Sequence, residues 1–244
     1  MPKLKVPANA NDAATFIEDK VKSLFGIATP LLQLHANNQW LIYSPYLSNQ
    51  VAKSADASSA FQAVRTATFG FELIRLMSLW DRSSPDRNSI PSIFDVMGRP
   101  DVMAIVRTRY VDGFTALGVS PQLLADREQD YEAALARLHR LIPAVERSAR
   151  LQSLRGHRDQ FIAHNLIIPA RGVAPKYGQE TRLLNLTVRI IFDIGLVVTN
   201  STMALDATRR MVKRHADALW SETTLTDERV KHPLLKKTAE IDSL

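Results

Sequence analysis

The sequence predicts an all-α protein, and three observations support this fold class. Apolar residues recur three and four positions apart along almost the whole chain, as in amphipathic helices. No stretch shows the sustained alternation of a half-buried strand. The chain of 244 residues is 45% hydrophobic and 23% charged, which is typical of a globular domain with one core. We therefore expect one helical-bundle domain over 1–244, built from long helices with additional peripheral helices, and with peripheral tails over about 1–10 and 225–244.

The first part of the chain contains two long amphipathic segments. The first segment begins at an N-cap formed by Asn11 or Asp12, contains Pro30 as a potential kink, and ends at Ser44-Pro45. The polar stretch 48–59 predicts a short loop. The second long helix follows over 59–81.

The middle of the chain is divided by proline and serine. The composition of 83–89 indicates a loop, after which Pro91 fits the first turn of a short helix. Another helix opens at Pro100 and ends near Gly113. Ser120 is then expected as an N-cap, with Pro121 in the first helical position.

The last part of the chain contains two more long segments. The first extends over 121–164, and Pro143 is expected to kink or divide it, because an internal proline removes a helix hydrogen bond. The proline and glycine content of 168–179 predicts a loop. A final helix is expected over 181–220, followed by a charged tail.

The charge of the chain favours an anionic partner. The net charge is +6 at pH 7, with a sequence pI near 9.7. Between positions 137 and 158 Glu146 is the only acid, whereas the basic residues are Arg137, His139, Arg140, Arg147, Arg150, Arg155, His157 and Arg158. This predicts an electropositive helix, and a second basic group occupies 209–215. A solvated helix face rich in arginine is the alternative interpretation.

Several kinds of chemistry find no support in the sequence. The absence of cysteine excludes disulfides, thiolate metal sites and cysteine nucleophiles. The six histidines are scattered without a zinc-binding spacing, and the chain has neither a glycine-rich phosphate loop nor a Gly-x-Ser-x-Gly elbow. No signal segment begins the chain, and no apolar run reaches the roughly 20 residues of a membrane span. We expect a cytoplasmic protein without metal, cofactor or membrane association.

The segment that ends in Arg158-Asp159-Gln160-Phe161-Ile162-Ala163-His164 contains the candidate catalytic residues. Arg158 can hold phosphate oxygens bidentately, and His164 has an ordinary pKa near neutrality, so the pair suits cleavage of a phosphodiester in RNA. His164 would act as a general base on the ribose 2′-hydroxyl or as an acid to the leaving oxygen, while Arg158 stabilises the phosphoryl charge. Asp159 would either orient an imidazole or offset the charge of Arg158.

The spacing of this pair sets a geometric condition. Residues six apart on an ideal helix differ by about 120° around its axis. Arg158 and His164 can therefore converge only if the helix ends or loosens near His164, or if a two-fold dimer brings two copies into one cleft. The alternative interpretation is that Arg158 pairs with a neighbouring carboxylate and that His164 is a polar helix terminator.

The neighbouring basic residues and Trp80 also have two interpretations each. Arg147, Arg150, Arg155 and His157 are candidates for contacts with RNA phosphates. Trp80, with Asp81 and Arg82, could line a binding groove, but a tryptophan at the end of an amphipathic helix is more often a core anchor.

The stretch 154–165, Leu-Arg-Gly-His-Arg-Asp-Gln-Phe-Ile-Ala-His-Asn, resembles the signature of the HEPN superfamily. Leu79-Trp80-Asp81-Arg82, followed by Ser89-Ile90-Pro91-Ser92-Ile93, is similar to a segment that precedes this signature in the abortive-infection U-type (AbiU-like) branch. The resemblance covers roughly 10–220. It implies a HEPN-like helical bundle, dimerisation through the motif helices and metal-independent RNase activity. Arg158 and His164 would be its catalytic residues, with Asp159 as the intervening polar position.

Two functions from different classes follow from these observations. The first is a metal-independent endoribonuclease of a phage-defence or toxin-antitoxin type, which cuts RNA at a composite cleft of a homodimer and pairs with an antitoxin protein. The second is a non-catalytic helical module that binds RNA or a partner protein through its arginine-rich face.

Overall fold

A computed structural model describes residues 5–52, 55–159, 178–201 and 204–221 of the protein. These residues form nine helices and no strand, which confirms the all-α fold class. The helices are α1 (Ala10–Tyr43), α2 (Pro45–Val51), α3 (Ala55–Ser78), α4 (Ile90–Met97), α5 (Pro100–Ala116), α6 (Pro121–Glu146), α7 (Ala149–His157), α8 (Gln179–Thr199) and α9 (Leu205–Ser221).

Helix α1 is a central element and packs against α3, α5, α8 and α9. Its N-cap is Asn9, whose side chain accepts hydrogen bonds from the backbone N–H groups of Asn11 (2.8 Å) and Asp12 (3.2 Å). The prediction of Asn11 or Asp12 as the cap was therefore wrong by two or three residues. Pro30 lies inside α1 at an exposed position, and the helix ends at Tyr43, as predicted from Ser44-Pro45.

The predicted loop over 48–59 was wrong in part, because α2 occupies its start and α3 begins at Ala55. Helix α2 forms because its first turn is capped locally and because two of its side chains are buried. The side chain of Ser44 accepts a hydrogen bond from the backbone N–H of Leu47 at 3.3 Å, and Pro45 fits the first helical turn. Leu47 and Val51 then face the protein interior.

The predicted helix starts in the middle of the chain are confirmed. Ser89 caps α4, Pro100 opens α5, and Ser120 caps α6 by accepting from the backbone N–H of Leu123 at 3.3 Å. Helix α5 continues past the predicted end at Gly113 as far as Ala116.

The segment with Pro143 is divided, as predicted. Pro143 lies in the last turn of α6, which ends at Glu146, and Ser148 caps α7 by accepting from the backbone N–H of Leu151 at 3.2 Å. The predicted electropositive helix is therefore two helices. Residues 160–164 of this segment and 168–177 of the predicted loop lie outside the described residues.

The predicted helix over 181–220 was wrong, because it is divided into α8 and α9. Asn200 has a left-handed backbone conformation (φ 49°), and its N–H donates to the carbonyl of Gly195, which ends α8. Apolar periodicity continues on both sides of this break, so periodicity alone could not show it.

The core is centred on α8, against which α1 and α6 both pack, and it also includes α4 and the C-terminal end of α3. Helix α8 is buried over most of its circumference and carries Asp193, whose side chain is fully buried. Arg137 on α6 binds this carboxylate in a bidentate manner, with N–O distances of 3.0 and 2.9 Å. None of the described helices combines the length and apolar character that crossing a bilayer requires.

Candidate active site at the junction of the α3 turn and α7

The turn that follows α3 is fixed by the core. Trp80 is fully buried, and its Nε1–H donates to the Oγ1 of Thr187 on α8 at 2.8 Å. The carbonyl of Leu79 accepts from the backbone N–H of Ile90 at 2.8 Å, which ties the turn to the start of α4. Trp80 is thus a core anchor and does not line a groove. Its burial leaves the next residue, Asp81, at the edge of the core.

Helix α7 places two arginines against this turn. Leu151 and Leu154 are buried, so the helix docks by one apolar side. Arg155 donates from Nη2 to the backbone carbonyl of Trp80. Arg158 follows the last residue of α7 and reaches the side chain of Asp81. The two sequence segments that carry the family resemblance are therefore in direct contact.

Arg158 is held by two carboxylates. Its Nη1 donates to Oδ1 of Asp81 at 3.0 Å, and its Nε donates to Oδ1 of Asp159 at 2.7 Å. The side chain of Arg158 is 19% exposed, against 27% for Asp81 and 52% for Asp159. Arg87 lies on the far side of Asp81, with Nη1 3.7 Å from Oδ2. Asp159 is thus paired with Arg158, and its other predicted role, the orientation of an imidazole, stays a prediction.

Burial and charge act against each other at this junction. Partial burial opposes the positive charge of Arg158, but its hydrogen bonds to Asp159 and Asp81 outweigh burial and raise its pKa. Burial lowers the pKa of Arg155, and the charges of Arg158 and Arg82 lower it further. Burial also lowers the pKa of His157, which favours the neutral imidazole at neutral pH.

The remaining predicted site residues do not all meet at Arg158. His164 lies outside the described residues. His157 is half-buried next to Arg158. Arg150 is half-buried in the first turn of α7, so its Cα lies about 12 Å along the helix from Arg158. Arg147 is exposed, and its Nε donates to the carbonyl of Pro143 at 3.1 Å. Arg147 and Arg150 thus lie apart from the contact between Arg158 and Asp81.

Asp81 and Arg87 are the residues of this junction that sequence reasoning did not assign to the site. The signal for Asp81 was its position directly after a tryptophan at a helix end, within the stretch that carries the resemblance. Sequence could not show that this carboxylate meets Arg158, because 77 positions separate the two residues along the chain. Among the described residues, no group of three or more His, Asp or Glu side chains is placed to hold a metal ion.

The class of protein is given by comparison with family models. A family model of the HEPN type matches most of the chain, over residues 28–219. The chain belongs to this family, AbiU2, which is the AbiU-type branch of the HEPN superfamily. Comparison with curated proteins and with solved structures gave no match.

Proposed function

We propose that this protein is a metal-independent endoribonuclease of a phage-defence or toxin-antitoxin system, with Arg158 and His164 as its catalytic residues. The observation that carries the proposal is the fixed position of Arg158, whose guanidinium is held at the end of α7 by Asp81 from a distant turn. Membership of the AbiU2 family supports an abortive-infection role for the module.

The contacts of Arg158 are compatible with phosphate binding. A guanidinium has five N–H donors, and the described contacts use two of them, which leaves three for phosphate oxygens. The two carboxylates fix the plane of the group, so less side-chain entropy would be lost when a phosphate binds. Asp81 is in this view a positioning residue rather than a catalytic one.

The reaction would proceed by transesterification within the RNA strand. His164 removes the proton of a ribose 2′-hydroxyl as O2′ attacks the adjacent phosphorus, and the bond from phosphorus to the 5′-oxygen breaks. The departing 5′-oxygen takes up a proton from water, and the other product ends in a 2′,3′-cyclic phosphate. Arg158 stabilises the charge on the phosphoryl oxygens during this step.

Two copies of the chain would complete the site in this proposal. A two-fold homodimer would place two Arg158/His164 pairs in one cleft and would satisfy the geometric condition set by their spacing. Arg155, His157, Arg150 and Arg147 would contact RNA around the cleft. We place the protein in the cytoplasm, with an antitoxin protein as its regulator.

A non-catalytic module that binds RNA or a partner protein is the second candidate, and the ion pairing of Arg158 favours it. Asp81 and Asp159 offset the charge that a transition state would require, and Arg155 is directed inward to the Trp80 carbonyl. Such a module would bind RNA with an affinity that falls linearly with salt on logarithmic scales.

Cleavage of labelled RNA in EDTA separates the two functions. We expect the wild-type protein to yield products with 2′,3′-cyclic phosphate ends. Arg158→Ala and His164→Ala should each lower the rate at least 100-fold, in line with the usual contribution of acid-base and electrostatic groups. Arg140→Ala removes an exposed arginine of α6 and serves as the control.

Full activity in both site variants would refute the catalytic assignment. RNA binding without products from any variant would support the second candidate instead.

A further inference from the structure

A second polar site lies on another side of the molecule, in a cavity between α1, α8 and α9. Its volume is about 520 Å³, which is within the range of small-molecule pockets. Asn185 of α8 lines the cavity, whereas Thr187 of the same helix contacts Trp80. These two positions are about 200° apart around the helix axis, so the cavity and the Arg158 junction lie on nearly opposite faces of α8.

One side chain that lines the cavity is a histidine supported by a buried carboxylate. Glu72 is 1% exposed and accepts from the Nδ1 of His35 at 2.7 Å and from the Nδ2 of Asn38 at 2.6 Å. Glu72 thus occupies Nδ1 of the His35 ring, and Nε2 is the second ring nitrogen. The Nε2 of Gln39 lies 3.3 Å from this nitrogen, and both His35 and Gln39 line the cavity. The ring is thus fixed in one orientation by its support, as in binding sites with a second layer of hydrogen bonds.

The lining of the cavity also carries a positive charge that no described carboxylate neutralises. Arg209 donates from Nη2 to the neutral side-chain oxygen of Asn185 at 3.0 Å, and the described residues provide no ion pair for it. Lys213, which lines the same cavity, differs in this respect because Asp217 binds it at 2.6 Å. The remaining donors of Arg209 suit an anion with several oxygens, such as a phosphate.

The rest of the cavity lining contains aromatic and apolar side chains, which are suited to contact with a planar ring of a ligand. Trp40 lines the cavity, and its indole is fixed because Nε1–H donates to the Oδ1 of Asp217 at 2.9 Å. Tyr43 lies one helical turn further along α1, and the apolar side chains of Leu32 and Val212 complete the wall. Aromatic side chains of this kind bind nucleobases by stacking, largely independently of base identity.

We propose that this cavity binds a mononucleotide. The base lies against Trp40 and the apolar wall, with an edge toward His35 and Gln39, and the phosphate lies at Arg209. The aromatic wall, the fixed hydrogen-bonding edge and an arginine without an ion pair to any described residue together match a nucleotide, whereas each alone would fit many ligands. The proposal does not depend on RNA cleavage at Arg158, because it concerns another face of the protein and predicts binding only.

Isothermal titration of the full-length protein with AMP, GMP, CMP and UMP tests the proposal. We expect at least one of these to bind, and Arg209→Ala to weaken it at least tenfold. Arg209→Gln removes the charge but keeps a long polar side chain. It should give the same loss as Arg209→Ala, which would show that the loss does not come from a disturbance of α9. Arg214→Ala removes an exposed arginine that does not line the cavity, and should change affinity less than twofold.

Two ligand controls assign the two halves of the site. The nucleoside without its phosphate, and inorganic phosphate alone, should each bind at least tenfold more weakly than the nucleotide. The absence of binding by all four nucleotides at millimolar concentration would overturn the proposal. Equal losses in the Arg209 and Arg214 variants would also overturn it, because they would indicate general attraction to a basic surface.

Discussion

The contact between Asp81 and Arg158 is predicted to couple the α3 turn to the end of α7 energetically. We consider the variants Asp81→Ala, Arg158→Ala and the double variant as a thermodynamic cycle. Hydrogen bonds to charged groups contribute about 1.5–3 kcal/mol, and exposed ion pairs about 0.2–1 kcal/mol. The two side chains are 27% and 19% exposed, so their contact lies between these limits.

Two further contacts reduce the expected coupling. Arg158 keeps its bond to Asp159 when Asp81 is removed, and Asp81 keeps Arg87 at 3.7 Å when Arg158 is removed. We therefore expect a coupling free energy of about 1 kcal/mol between Asp81 and Arg158. The second carboxylate provides the comparison: Asp159 is 52% exposed, and its cycle with Arg158 should give about 0.5 kcal/mol or less.

Urea unfolding followed by far-ultraviolet circular dichroism measures each free energy of unfolding. A coupling for Asp81 no larger than that for Asp159 would refute the reasoning that Asp81 fixes Arg158. The same four proteins can be assayed for RNA cleavage, which separates a loss of position from a loss of stability.

Two further predictions concern the core. Among the described residues, Arg137→Ala leaves the fully buried Asp193 with Arg189, at 3.6 Å, as its ion-pair partner. We therefore expect the free energy of unfolding in urea to fall by about 2–3 kcal/mol, whereas the exposed control Arg140→Ala should lower it by less than about 0.5 kcal/mol. Similar losses for both would contradict a structural role for Arg137. Gly195→Ala would place a Cβ in steric overlap with Cζ of Phe25 and 3.0 Å from the backbone oxygen of Ser201. We therefore expect the protein to lose about 1–3 kcal/mol of stability in thermal unfolding, and an unchanged midpoint would show that α8 and the Phe25 ring adjust freely.

The starts of α4, α5 and α6 could be predicted from sequence because their signals are local. Pro91, Ser120 and Pro121 act on the backbone within three residues, so residue type and spacing suffice to place these helix starts. The ends of the helices were predicted less accurately. The break at Asn200 depends on one left-handed residue between two apolar stripes, and asparagine adopts that conformation only in some contexts.

In the candidate site, too, sequence predicted the residues of a local motif but not the contacts between residues remote in sequence. Sequence identified Arg158 and its intervening Asp159, because both belong to one short motif. It could not identify the ion pair with Asp81, and it could not distinguish Arg137, which is bound to a buried carboxylate, from the exposed Arg140 three residues later.

The sequence by itself determined the helical class, the starts of α4, α5 and α6, and the HEPN family of this protein. These properties depend on periodicity, on capping and on motifs within a few consecutive residues. Only the tertiary structure decided which charges are neutralised: Arg158 by Asp81, Arg137 by Asp193, and Arg209 by no described carboxylate. The physical reason is that an ion pair depends on distance in space, which the packing of helices remote in sequence sets.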